Sequence, residues 1–212
     1  MLLPSSDDPT GALSDFMLAL EELIAREPSP HRVTDAVSAR LARLLAAGQA
    51  DATLLATLLA TLLAPQFRAS SPDAYQTHLI AVSPSRRFSL LSLVWLPGQV
   101  TTIHDHICWC VAGVLQGVER EQRFSLRAED DGARWLAPLS EETLTLGNVS
   151  VLVPPDENIH RVANAGEQLA ISLHVYGADI GVMGSSINQR FDDLPIRRDA
   201  VGGQPVQWRR VS

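Results

Sequence analysis

Apolar residues in the first third of the chain recur at helical spacing. From Leu13 to Ala25 they return every three or four positions, and Pro28 and Pro30 predict the end of that helix. Val33 to Ala47 repeats the pattern, with Val37, Leu41, Leu44 and Leu45 on one face and Gly48 as a stop. Asp51 then precedes ATLLATLLATLLA, whose leucine pairs recur every four residues until Pro65, so a third helix capped by Asp51 is predicted. Its thirteen residues fall short of the roughly 20 that cross a bilayer, and the leucine stripe is expected to bury against protein.

From His78 onward the period changes. Phe88 to Leu96, Cys110 to Leu115, Val118 to Leu126, Val149 to Val153 and Leu169 to Tyr176 are short apolar or alternating runs. Turn pairs separate them: PG at 97–98, DG at 131–132, GN at 147–148 and AG at 165–166. Many short strands punctuated in this way predict a mainly β sandwich or barrel. The expected layout is an N-terminal helical segment over residues 1–70, packed on a barrel over residues 71–212. The arginine-rich stretch from Asn188 to Ser212 is expected to wrap that barrel as irregular structure.

Composition narrows the chemistry. The 212 residues are 46% hydrophobic and 19% charged, enough apolar material for one core of moderate size. A net charge of −7 argues against a nucleic-acid partner. All 17 basic residues are arginine. Without lysine there is no Schiff-base or pyridoxal phosphate enzyme and no P-loop lysine. Arginine is then the permanent cation left for an anionic ligand. No run of eighteen apolar residues exists, and MLLPSSDDPT lacks the layout of a signal peptide, so no membrane partner is expected. Cys108 and Cys110 stand too close on one strand for ordinary disulfide geometry, which suggests a reducing, cytoplasmic setting.

Four of the six histidines fall between positions 104 and 174. His104 and His106 alternate in TTIHDHICW, so on a strand both imidazoles project to one face and Asp105 to the other. An isolated pair of this kind also occurs as ordinary packing in β proteins. His160 follows His106 by 54 residues, enough chain for several strands to return a third ligand. Imidazole suits iron, zinc, copper and nickel, so the residue types leave the metal open. Ser172, His174 and Tyr176 of SLHVY share a face by the same period. They can also satisfy one another as polar groups in a barrel wall.

Gly98 lies six positions before His104 and Gly117 eleven after His106. With Pro155, His160 and Asn164 spaced P-x4-H-x3-N, this pattern resembles the two cupin motifs, except that Glu157 stands where the second motif has glycine. The resemblance implies a cupin double-stranded β-helix (jelly roll). Cys110 stands where a typical cupin has a glutamate ligand. Three histidines without that glutamate, beside a Ser-His-Tyr row, resemble the cysteine dioxygenase (thiol dioxygenase) family from about Tyr75 to Ser185. The resemblance implies Fe(II) held by His104, His106 and His160, with Ser172, His174 and Tyr176 as the catalytic row. It also implies a small thiol and dioxygen as partners and a sulfinic acid as product. Some members carry a thioether between the residues matching Cys110 and Tyr176, a link that removes two hydrogens.

A substrate carboxylate calls for the planar fork of arginine. In cysteine dioxygenases that arginine comes from the segment matching Tyr75 to His78, and in mercapto-acid members from about nine residues beyond the row, here Ser185. Neither place holds arginine, so Gln76, His78 and Arg190 are the expected substrate contacts, with Arg161 beside a ligand. Two other functions stay open: another metal-dependent cupin enzyme acting on a non-thiol small molecule, and a non-catalytic binding cupin. The sequence leaves the oligomeric state open.

Overall fold

The computed structural model describes residues 9–50, 67–156 and 158–197. The leucine-rich segment after Asp51, Glu157 and the chain beyond residue 197 lie outside the described residues. Helices α1 (Pro9–Arg26) and α2 (Pro30–Ala50) form where the apolar spacing predicts them. Contrary to expectation, α2 runs through Gly48 instead of stopping there. A glycine inside a helix costs only about 1 kcal/mol relative to alanine. The fully buried Val37, Leu41 and Leu45 outweigh it, since each buried leucine contributes about 2 kcal/mol.

Among the described residues there are ten strands: β1 (Gln76–Val82), β2 (Ser89–Trp95), β3 (His104–His106), β4 (Cys110–Gln116), β5 (Val118–Ala128), β6 (Arg134–Thr145), β7 (Val149–Leu152), β8 (Ile159–Asn164), β9 (Ala170–Tyr176) and β10 (Ile187–Arg190). A short helix, α3 (Ile180–Met183), joins the last two. The strands form two five-stranded antiparallel sheets, ordered β1-β2-β9-β4-β7 and β10-β3-β8-β5-β6. From β2 to β10 the chain passes repeatedly from one sheet to the other. That is the double-stranded β-helix of a cupin.

Strands β2 and β9 are buried at every position, which explains their continuous apolar runs. Their outward residues (Leu90, Val94, Ile171, Leu173 and Val175) pack with Val111 and Leu115 of β4 against Leu20, Val37, Leu41 and Leu45 of the helices. Gly113 on β4 allows this seating, because a Cβ there would stand 2.6 Å from Leu45 Cδ1. The inward residues alternate with these and include Leu91, Leu93, Trp95, Cys110 and Tyr176. One sheet thus has helices on one face and the barrel interior on the other.

The start of the tail departs from the expected irregular wrap. Ile187–Arg190 pairs as β10 with β3, and Ile196 makes a parallel bridge to Leu136. Asp105 holds β10 in place, accepting from Asn188 Nδ2 at 3.1 Å and from the Gln189 amide at 2.6 Å. Its carboxylate is therefore committed away from the barrel interior.

Candidate functional site

His104 and His106 lie on β3, and His104 pairs directly with His160 on the neighbouring β8. All three are buried, and one ring nitrogen of each lies within 4.8 Å of the others. Each Nδ1 meets an oxygen: Thr102 O at 2.9 Å for His104, Asn158 Oδ1 at 3.3 Å for His106 and Glu121 Oε1 at 2.7 Å for His160. A carbonyl or carboxylate oxygen only accepts, so each Nδ1 is the donor and Nε2 is the nitrogen left to face a metal. His160 Nε2 is buried with no hydrogen-bond partner. An unpartnered lone pair facing two others is what a metal ion would satisfy, and the donor set fits one. Burial and the neighbouring imidazoles lower His104 to about 4 and His106 to about 2, so both are neutral at ordinary pH.

Glu121 braces this group from β5. Its second oxygen accepts from Ser150 Oγ at 2.7 Å and from Arg123 Nη2 at 3.2 Å. Arg123 also donates to Val151 O at 2.9 Å, which ties β5 to β7. Burial alone would raise the Glu121 carboxyl, but His160, Arg123 and Ser150 hold it down at about 2. It is therefore an ionised acceptor beneath the third histidine.

On β9 the inward row runs Ser172, His174 and Tyr176. Ser172 Oγ lies 2.9 Å from His174 Nε2, and Tyr176 Oη lies 3.3 Å from His174 Nδ1. Trp95 Nε1 donates to Ser172 Oγ at 3.4 Å. Burial lowers His174 to about 3, so the ring is neutral, and raises the Tyr176 phenol well above its ordinary value. The Tyr176 ring stands 5.9 Å from that of His106, which sets the row beside the three histidines. Cys110 faces Tyr176 across the β4–β9 ladder, its Sγ 3.8 Å from His174 Nδ1.

The three histidines, Glu121, Cys110, His174 and Tyr176 line one cavity, closed by Leu91, Leu93, Leu144, Leu152, Val162 and Ile180. A second carboxylate opens on it. Glu119 is buried, and its Oε1 has no hydrogen-bond partner. Burial pushes its carboxyl up to about 7, even though the Ser172 hydroxyl and the Trp95 indole N–H pull it down. A carboxyl raised on folding from 4.5 to about 7 adds stability that is complete below 4.5 and lost as pH rises through about 7. Glu119→Gln removes this dependence. The ligand-free variant should melt higher than its parent above pH about 7, the gap closing below pH 4.5, as thermal unfolding across that range would show.

The model of the cysteine dioxygenase type I family matches residues 28–182 of the sequence. The chain belongs to that family. The match takes in α2 as well as the barrel, and so begins well before Tyr75. Solved structures similar to the chain include TT1209 of Thermus thermophilus, 21% identical over 54% of this chain and 93% of that one, with a TM-score of 0.39. A conserved protein with a double-stranded β-helix domain from Klebsiella pneumoniae is 15% identical over 54% of this chain and 86% of that one, with a TM-score of 0.40. A cupin superfamily protein from Desulfitobacterium hafniense is 16% identical over 56% and 89%, with a TM-score of 0.39.

The structure does not bring the expected substrate contacts of this cysteine dioxygenase family member to the cavity. Tyr75, just before β1, and Thr77 on it line the cavity, so by strand alternation Gln76 and His78 face away. Gln76 Nε2 donates to Ala74 O at 3.0 Å, and His78 Nε2 lies 2.8 Å from Ala69 O. Arg190 is exposed on β10 opposite His104 and is not among the lining residues. Arg161 points outward to Gln122 Oε1, 3.0 Å from its Nε. Of the segment Tyr75 to His78, Tyr75 and Thr77 reach the cavity, as does Ser185 beyond the row, and none of them is arginine. Glu119 and Glu121 were not legible in VEREQRF, because the apolar Val118 and Phe124 lie on the opposite face and mark that one as the interior.

Proposed function

We propose that the chain is a non-haem iron thiol dioxygenase that oxidises a small thiol to a sulfinic acid with dioxygen. The observation that carries this reading is the set of three buried imidazoles whose ring nitrogens converge, with no carboxylate among them. His104, His106 and His160 would hold Fe(II), which supplies the single-electron steps that let dioxygen react with a closed-shell thiolate. The reaction balances without a further reductant: RSH + O2 gives RSO2H, with sulfur oxidised by four electrons and dioxygen reduced by four.

The chain's own residues orient, dry and protonate. The apolar wall excludes water, which strengthens every polar contact inside. With His174 neutral, the row has two arrangements. In one, Tyr176 donates to His174 Nδ1 and Nε2–H donates to Ser172. In the other, Ser172 donates to Nε2, Nδ1–H donates to Tyr176 Oη, and the phenol proton turns to the cavity. Tyr176, kept as a phenol by burial, thus presents one proton to the substrate.

The thioether between Cys110 and Tyr176 belongs to the same reading. Protein turned over with iron, thiol and dioxygen is expected to show an intact mass lower by two hydrogens. The linkage loses its support if the mass is unchanged and both residues appear in unmodified peptides. A metal-dependent cupin enzyme acting on a non-thiol small molecule is a second reading, favoured by the lack of arginine in the cavity. Oxygen uptake separates the two. The iron-loaded protein should consume dioxygen with at least one of cysteine, cysteamine, mercaptopropionate and mercaptosuccinate, and inertness towards all four favours the second reading.

A further inference from the structure

Among the described residues that line the cavity, no arginine is present, and the charged ones are Glu119 and Glu121. Glu121 is fully engaged by His160, Ser150 and Arg123. Glu119 is not: it is 3% exposed, and its Oε1 has no partner. The two glutamates lie two residues apart on the inward face of β5, about 7 Å along the strand. One end of this spacing is therefore tied to the third histidine, and the other ends in a carboxylate short of a donor. The Ser172 hydroxyl and the Trp95 indole N–H reach this carboxyl but leave Oε1 without a donor, which is costly for a buried carboxylate. The donor that compensates it must come from the cavity, and a cation does so best.

The opposite charge has no counterpart. A substrate carboxylate entering this space would find no cation on the lining, would be desolvated by Leu91, Leu93 and Val162, and would face two glutamates. Arg190, on β10 opposite His104, is exposed and does not line the cavity, although its charge is felt at Tyr75 and His104, which do. We infer that the cavity selects a small thiol bearing a protonated amine and no carboxylate, with Glu119 receiving the amine. This rests on the thiol-oxidation reading above and names the substrate class that reading leaves open. The ammonium serves as a binding handle and takes no part in the oxidation, whose atoms balance as already written.

The test uses iron-loaded protein and three thiols of similar size: cysteamine, neutral 2-mercaptoethanol and anionic 3-mercaptopropionate. Binding is measured by calorimetry without dioxygen, and kcat/KM by sulfinate formation with it. Cysteamine is expected to bind tightest and react fastest, with mercaptopropionate last. Glu119→Gln should shrink the cysteamine-to-mercaptoethanol ratio about tenfold or more in both measurements, the worth of one charge-assisted hydrogen bond. Glu119→Asp should restore part of it. Thr77→Arg, at an exposed position that cannot threaten the fold, should raise the mercaptopropionate-to-cysteamine ratio. A preference for mercaptopropionate in the parent, or a ratio unmoved by Glu119→Gln, overturns the inference and leaves thiol oxidation standing. If none of the three thiols binds or reacts, the inference falls, and the thiol reading falls with it only if cysteine and mercaptosuccinate are inert as well.

Discussion

His160→Ala is expected to abolish thiol oxidation and leave a folded protein that no longer retains iron after desalting. His160 would supply one of the three ligand nitrogens that converge among the described residues, and its Nε2 has no hydrogen-bond partner. Two imidazoles on one three-residue strand cannot hold a ferrous ion against exchange. The substitution also strands Glu121 Oε1, which now accepts from His160 at 2.7 Å, and this should lower stability by about 1–3 kcal/mol. Metal analysis, circular dichroism and oxygen uptake on the same preparation would check all three outcomes. Wild-type turnover by an iron-free variant would contradict the assignment of His160.

Glu121→Gln should be the most damaging change at a residue that touches neither metal nor substrate. The carboxylate fixes the His160 tautomer with one oxygen and pairs with Arg123 and Ser150 through the other. Loss of such a brace typically weakens metal affinity by about 10–100-fold. Breaking a buried ion pair from one side costs about 3–5 kcal/mol, and the lower end applies because Arg123 keeps Val151 O. The sign with pH follows from a carboxyl held at about 2 instead of 4.5. Its stabilisation is complete above 4.5 and fades as pH falls towards about 2, so the two proteins should converge in acid. Iron titration against a competing chelator and denaturant midpoints at several pH values would measure both effects. A variant with parental affinity would mean that the Glu121 charge does not brace the site.

Legibility in the sequence followed burial. The spans of β2, β4, β7 and β9 stood out because these strands lie in the sheet that the helices cover, so their apolar runs are long or nearly continuous. The three-residue β3, the polar β6 and β10, and the edge strand β1 carry no such signal. The three histidines and the Ser-His-Tyr row were legible because spacing and the period of two fix which side chains share a face. The same rule shows why Gln76 and His78 face away: the inward positions are the odd ones, Tyr75 just before β1 and Thr77 on it. Arg190 was expected to reach the cavity on a longer loop after the row, and its place on β10 opposite His104 leaves it exposed. Glu119 and Glu121 became visible only when the second sheet showed which face of β5 looks inward.

Isotopically labelled dioxygen tests the central claim most directly. Iron-loaded protein turning over a small thiol under labelled gas should yield a sulfinic acid carrying two labelled oxygen atoms, and His160→Ala should yield none. A product that takes an oxygen from water, or a thiol that is only coupled to a disulfide, would contradict a three-histidine centre built for thiol dioxygenation.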